Sequence, residues 1–181
     1  MSYFFKTTCL FIASILVLHA QPANTAGAAG WKLQPKIVHR IIRPVFPAKD
    51  FSVASYGAKD GGTVDCTEAF ARAIAACSDA GGGRVLVPAG TYLTGAIHLR
   101  SNVNLHLEKG ATITFSTDPR NYLPVVYTRW EGVECMNYSA LIYAYGQTNI
   151  AVTGEGVLDG QGANENWWRW CGKKEYGWTK G

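Results

Sequence analysis

Arg129, Trp130 and Glu131 stand side by side in a stretch with no apolar periodicity of its own. A guanidinium can hold a carboxylate through two parallel hydrogen bonds, and an indole can stack on the apolar face of a sugar ring. Together the three residues read as candidate contacts for a ligand that bears a carboxylate and an apolar face. They fall in the long connection between Phe115 and Leu141, and long connections tend to carry function. The rival reading has Trp130 packing that connection against the body of the protein. Trp167, Trp168 and Trp170 suggest a second aromatic platform. Neighbours on an extended segment face opposite ways, so one of Trp167 and Trp168 is expected to pack inward.

The other reactive side chains are dispersed. Of the four histidines, His19 and His39 precede the folded part, while His98 and His106 lie on expected strands and read as solvated outward residues. Asp159 sits in an Asp-Gly-Gln-Gly turn, and Asp60 and Asp65 read as turn and cap. The acids form no cluster of the kind that holds calcium. Cys66, Cys77, Cys135 and Cys171 lack the closely paired spacing of a zinc site. If Cys66 and Cys77 share a helix, they lie about 16 Å apart, beyond disulfide reach. The remaining pairings stay open, with buried free thiols as the default. Neither a metal nor a cofactor is expected.

These residues need a scaffold, and composition limits which one. The chain has 181 residues, 48% of them apolar and 17% charged, with 20 glycines. That apolar share excludes a mainly disordered chain, and the glycines lack the three-residue period of collagen. Sparse charge and frequent glycine exclude a long coiled coil. Lys6 followed by the apolar run from Cys9 to Leu18 has the layout of a secretory signal, too short to span a bilayer. Ala26-Gly27-Ala28 fits a cleavage site, so residues 1–28 are assigned to a signal and the chain to a secreted or periplasmic location. Lys32, Lys36, Arg40, Arg43 and Lys49, with Pro35, Pro44 and Pro47, make residues 29–50 a basic extended linker, solvated rather than bound. All 13 acids lie from Asp50 onward, against 11 of the 17 Lys+Arg, so the net charge of +4 belongs to the leader and linker. No nucleic-acid motif accompanies them.

From Phe51 the pattern is one helix followed by short strands. Asp65 with Glu68 three residues later resembles a capping box. Ala69, Phe70, Ala73, Ile74 and Cys77 then form one helical stripe, which Gly81-Gly82-Gly83 ends, giving a helix over about 66–80. Afterwards the period falls to two, as in Val103, Leu105 and Leu107, and strands alternate with Gly and Asn turns. Asn102, Val103, Leu105 and Glu108 recur as Asn149, Ile150, Val152 and Glu155 at an offset of 47. Taken as two coils of about 23 residues, that offset predicts a parallel β-helix with an Asn ladder at one turn and about four or five coils. The helix would cover the open end of the first coil.

Longer motifs point the same way. Gly57-Ala58-Lys59-Asp60-Gly61, Asp65-Cys66-Thr67, Val87-Pro88-Ala89-Gly90-Thr91-Tyr92, Ser101-Asn102-Val103-x-Leu105 and Gly154-Glu155-Gly156-x-x-Asp159-Gly160-Gln161-Gly162, followed by Trp167-Trp168, resemble glycoside hydrolase family 28 over residues 51 to 170. Arg129-Trp130-Glu131-Gly132 is similar to its bacterial branch. The resemblance implies an all-β fold, a right-handed single-stranded parallel β-helix with an N-terminal capping helix, with residues 51–181 as the N-terminal part of that domain. It implies inverting hydrolysis of α-1,4-galacturonan, carried by two carboxylates about 6.5–9.5 Å apart. The partner would be pectin, polygalacturonate or a related acidic polysaccharide, with no nucleic acid, no membrane contact after signal removal, and a monomeric full-length enzyme.

The family's Asn-Thr-Asp, Asp-Asp, Gly-His-Gly and Arg-Ile-Lys motifs are absent from the sequence. No catalytic residue is therefore assigned, the fold is read as truncated, and the chain by itself is expected to be inactive. Arg129, Trp130 and Glu131 remain the candidate substrate contacts. Other readings are a pectate lyase, a rhamnogalacturonase or a non-catalytic glycan-binding β-helix.

Overall fold

The computed structural model describes residues 25–176, which fall into two units divided after Ile42. The expectations about Lys6, the apolar run from Cys9 to Leu18 and His19 lie outside the described residues. The smaller unit is a helix, α1 (Thr25–His39), where the sequence reading places an extended linker. Ala26, Ala28 and Ala29 are strong helix formers, and Lys32, Leu33, Gln34 and Lys36 are straight-chain residues that lose little freedom in a helix. The helix also contains Gly27, Gly30 and Pro35, which propensity disfavours by about 1 kcal/mol for each Gly and about 3 kcal/mol for Pro. No helix among the described residues is long and apolar enough to cross a membrane.

The larger unit begins with β1 (Asp50–Ser52) and a short 3-10 helix at Val53–Tyr56. Then comes α2 (Thr67–Asp79), which buries Ala69, Phe70, Ala73, Ile74 and Cys77, the expected stripe. Its start differs from a capping box. The Asp65 carboxylate accepts from the Thr67 amide (2.8 Å) and the Thr67 hydroxyl (2.5 Å), one residue short of Glu68. The far end follows the glycine reading. Gly81 has a φ of 86°, and the Gly82 N–H returns to the Cys77 carbonyl at 2.9 Å.

The strands follow as β2 (Gly83–Val87), β3 (Gly90–Thr94), β4 (Ile97–His98), β5 (Val103–Leu107) and β6 (Ala111–Phe115). After a 3-10 turn at Pro119–Tyr122 come β7 (Val126–Trp130), β8 (Val133–Asn137), β9 (Ile142–Tyr143), β10 (Ala151–Gly154) and β11 (Val157–Asp159). Three parallel sheets form, ordered β1-β2-β5-β10, β3-β6-β11 and β4-β9. This is a right-handed parallel β-helix.

Coil length is where the sequence reading needs correction. Val85 lies opposite Leu105, a step of 20, and Tyr92 opposite Ile113, a step of 21. Leu105 lies opposite Val152, a step of 47 between directly paired strands. The repeat at 47 is thus one lengthened coil, not two of equal size. Two full coils are described, β2-β3-β4 and β5-β6-β9, flanked by β1 and by β10-β11, rather than four or five. The extra length is an antiparallel hairpin, β7 with β8, inserted between β6 and β9.

The core is a column of inward residues: Val85 and Val87, Val103, Leu105 and Leu107, Tyr92, Ile97, Ile113 and Phe115, each at most 5% exposed. Burial of each aliphatic side chain contributes roughly 1.5–3 kcal/mol. At one turn the expected ladder forms, since the Asn149 side-chain N–H donates to Asn102 Oδ1 at 2.9 Å. Both asparagines adopt left-handed φ, 65° and 53°, which Asn tolerates better than most residues. The same Asn149 clasps Val45, accepting from its N–H (3.0 Å) and donating to its carbonyl (2.9 Å). Residues 43–49 therefore belong to the coil unit and are not a free connector. At Gly154 a Cβ would lie 1.9 Å from the Leu107 carbonyl oxygen, so the Gly-Glu-Gly turn rests directly on the coil beneath it.

Candidate functional site

The hairpin positions the candidate residues. Its turn is Glu131-Gly132, with φ of 46° and 88°, the two positive angles that match the twist of flanking strands. Glu131 is spent on that turn and stands apart from its neighbours. Arg129 and Trp130 are consecutive on β7, so their side chains leave on opposite faces. Each lines a different cleft. The structure does not gather the trio into a single contact.

On one face Arg129 pairs across the hairpin with Glu134 at 3.7 Å. Glu134 also holds the Tyr127 hydroxyl, and that bond pushes the phenol pKa above its ordinary value. The cleft here encloses about 430 Å³ and is bounded by Tyr127, Arg129, Glu134, Tyr143 and Tyr145. Tyr127 and Tyr145 meet edge to face at 5.1 Å, and the Tyr143 hydroxyl donates to the Tyr127 carbonyl at 2.7 Å. Arg129 keeps a side chain 69% exposed, so its guanidinium is open to an incoming anion. A cation beside tyrosine rings suits a ring that bears a carboxylate.

Trp130 lines the other cleft, of about 470 Å³, with Tyr122, Tyr138, Leu141 and Trp167. Trp167 fixes its wall by donating Nε1–H to the Gly160 carbonyl at 2.7 Å and meeting Tyr122 edge to face at 5.7 Å. Trp168 lies half exposed against Gly162. The pair diverges as expected, on a short 3-10 helix at Trp167–Cys171 rather than an extended strand. This cleft is walled by aromatic and aliphatic groups with no charged side chain.

The histidines occupy polar relays. The Ser139 hydroxyl donates to the Ala140 carbonyl (2.9 Å), so it accepts from His98 Nε2–H at 3.0 Å. Loss of water around the His98 ring lowers its pKa below the usual value. The Thr153 hydroxyl donates to Asn104 Oδ1 at 2.8 Å and therefore accepts from His106 Nδ1–H at 2.8 Å. Among the described residues no three His, Cys, Asp or Glu side chains gather as metal ligands. The four cysteines are free, with Cys66 and Cys77 buried as expected but Cys171 exposed and Cys135 partly so.

Sequence reasoning missed Tyr127, Glu134, Tyr138, Tyr143 and Tyr145. The i, i+2 spacing of Tyr127 with Arg129, and of Tyr143 with Tyr145, is the strand signal that would have joined them. It stayed hidden because the segment from Phe115 to Leu141 reads as an irregular connection.

Residues 51–117 match the family described as rhamnogalacturonase A/epimerase, pectate lyase-like. An exo-poly-α-D-galacturonosidase of Dickeya chrysanthemi is 35% identical over 122 residues, 63% of this chain and 20% of that protein. The crystal structure of a hyperthermoactive exopolygalacturonase from Thermotoga maritima is similar with a TM-score of 0.79 and 48% identity, over 83% of this chain and 34% of that one. A family 28 exopolygalacturonase of Yersinia enterocolitica is similar with a TM-score of 0.57 and 35% identity, over 64% of this chain and 21% of that one. The chain thus spans about a fifth to a third of these relatives.

Proposed function

We propose that this chain carries the opening coils of an exported pectin-degrading glycoside hydrolase acting on α-1,4-galacturonan by inversion, and that its β7–β8 hairpin contacts the polymer. The observation that carries the reading is the 48% identity to an exopolygalacturonase over 83% of the chain. The hairpin adds chemistry to it: Arg129 for a uronate carboxylate, and Trp130 for the apolar face of a neighbouring ring. Because the two lie on opposite strand faces, they touch different sugars or different segments of a chain. Glu131 acts through the turn it forms. The motifs that would hold the two carboxylates of an inverting hydrolase are absent from the sequence, so no catalytic residue is assigned to these coils. Lys6 and the apolar run after it support secretion or a periplasmic location.

Affinity electrophoresis of the purified chain in gels cast with polygalacturonate or rhamnogalacturonan tests the contact. Retardation by polygalacturonate is expected, with Arg129→Ala weakening it about tenfold or more, the scale of one charge-assisted pair. Equal mobility of wild type and variant would remove the hairpin from the reading, and retardation only by rhamnogalacturonan would change the substrate. A reducing-sugar assay on the same chain should record no turnover; clear turnover would place the catalytic groups here after all.

A further inference from the structure

The helix that replaces the expected linker has two chemically distinct sides. Projected at about 100° per residue, Lys32, Lys36, His39 and Arg40 fall within one arc of about 100°. Trp31, Leu33, Ile37, Val38 and Ile41 occupy the other side, where Gln34 is the single polar member. Arg40 and Ile41 continue the helical path, their N–H groups bonding Ile37 and Val38 carbonyls at 3.0 and 3.1 Å. The apolar side is open, with Trp31 75% and Ile41 65% exposed. No acid occurs before Asp50, so nothing local neutralises the cations.

We propose that α1 lies in the plane of an anionic bilayer surface and tethers the chain there. The part of α1 beyond the expected cleavage site, residues 29–39, is about 16 Å long, short of a span but enough to rest in the headgroup region. Trp31, Leu33, Ile37, Val38 and Ile41 enter the acyl boundary, and Lys32, Lys36 and Arg40 meet lipid phosphates. Segregation of charge from apolar surface selects a bilayer over a soluble polyanion, which would use the cations and leave the apolar side wet. This assignment replaces the expectation of no membrane contact. It does not depend on the proposed hydrolase function.

Titration of the full chain with phosphatidylcholine vesicles containing roughly 30% phosphatidylglycerol, against pure phosphatidylcholine vesicles, tests it. The variants are Lys32→Gln/Lys36→Gln and Ile37→Ala/Ile41→Ala, which retain helix-forming residues and leave the upstream apolar run unchanged. Removing two cations should weaken binding to the anionic vesicles about 25-fold, at about fivefold each. Trimming the two isoleucines should weaken it about tenfold or more. Far-UV circular dichroism verifies that each variant keeps its helix. Absence of binding, or equal binding by all three proteins, overturns the proposal. So does dependence on the lysines alone, or lysine-dependent binding of polygalacturonate with vesicle binding unaffected.

Discussion

Cys77 is fully buried on the inner face of α2, and loss of water raises its thiol pKa to about 11. Cys66 is enclosed too, its sulfur within 3.3 Å of the Lys59 amide nitrogen. Only a thiolate attacks an alkylating reagent, and only where the reagent can reach it. Iodoacetamide on the native chain at pH 8 should therefore modify Cys171 fast, Cys135 more slowly, and Cys66 and Cys77 only after denaturation, as read by peptide mass spectrometry. Because the Cys77 pKa lies above its ordinary value of 9.0, raising the pH to 9 leaves it a protected thiol. The burial of Cys77 was legible from its place on the helical stripe, and that of Cys66 only as the default for a free thiol. The partition of Arg129 and Trp130 was not, although the alternation rule applied to Trp167 and Trp168 would have given it. That rule needs a strand, and β7 is not visible in a stretch whose apolar residues face water on both sides, such as Tyr127, Val133 and Met136.

The coil is the element that repeats, and its cross-section explains what sequence periodicity could and could not report. Residues with partners directly above and below kept their spacing, so Asn102 and Asn149, and Leu105 and Val152, align at the expected offset. The number of coils did not follow, because an insertion changes the count of residues between partners without changing the partners. Likewise α2 was visible from a stripe that packs on a fixed surface, whereas α1 lies in a basic stretch whose Pro35 reads as a break. The turns explain the glycines that mark the Gly-Glu-Gly block. With φ at 108° and the Leu107 backbone in contact, Gly154→Ala should lower the stability of the coil unit by about 2 kcal/mol or more, measured by chemical denaturation. Ala at Gly146, where a Cβ meets nothing within 4 Å but φ is 65°, should cost about 1 kcal/mol, which separates strain from collision.

At the scale of the whole chain, charge and topology are unevenly spread. From Asp50 onward acids outnumber cations, 13 to 11, so the net charge of this part supplies no positive field for a polyanion, and the proposed contact with galacturonan would rest on single groups such as Arg129. The clasp between Val45 and Asn149 joins residues 104 positions apart and ties the segment before β1 to the turn that feeds β10. Asn149→Gly keeps the left-handed turn but deletes both clasp bonds and the bond to Asn102. Amide exchange at Val45 should then rise by about tenfold, consistent with about 1–2 kcal/mol for the lost bonds, while exchange in β2 and β5 stays unchanged.

That clasp also sets an order of events in time. A ribosome releases residue 45 long before residue 149. Until the later turn emerges, Val45 lacks both clasp bonds, while Lys49, whose carbonyl accepts from the Arg84 N–H at 2.8 Å, is already held. Attachment of Val45 therefore waits for the turn that feeds β10, a latch that shuts only on a chain already wound past β9.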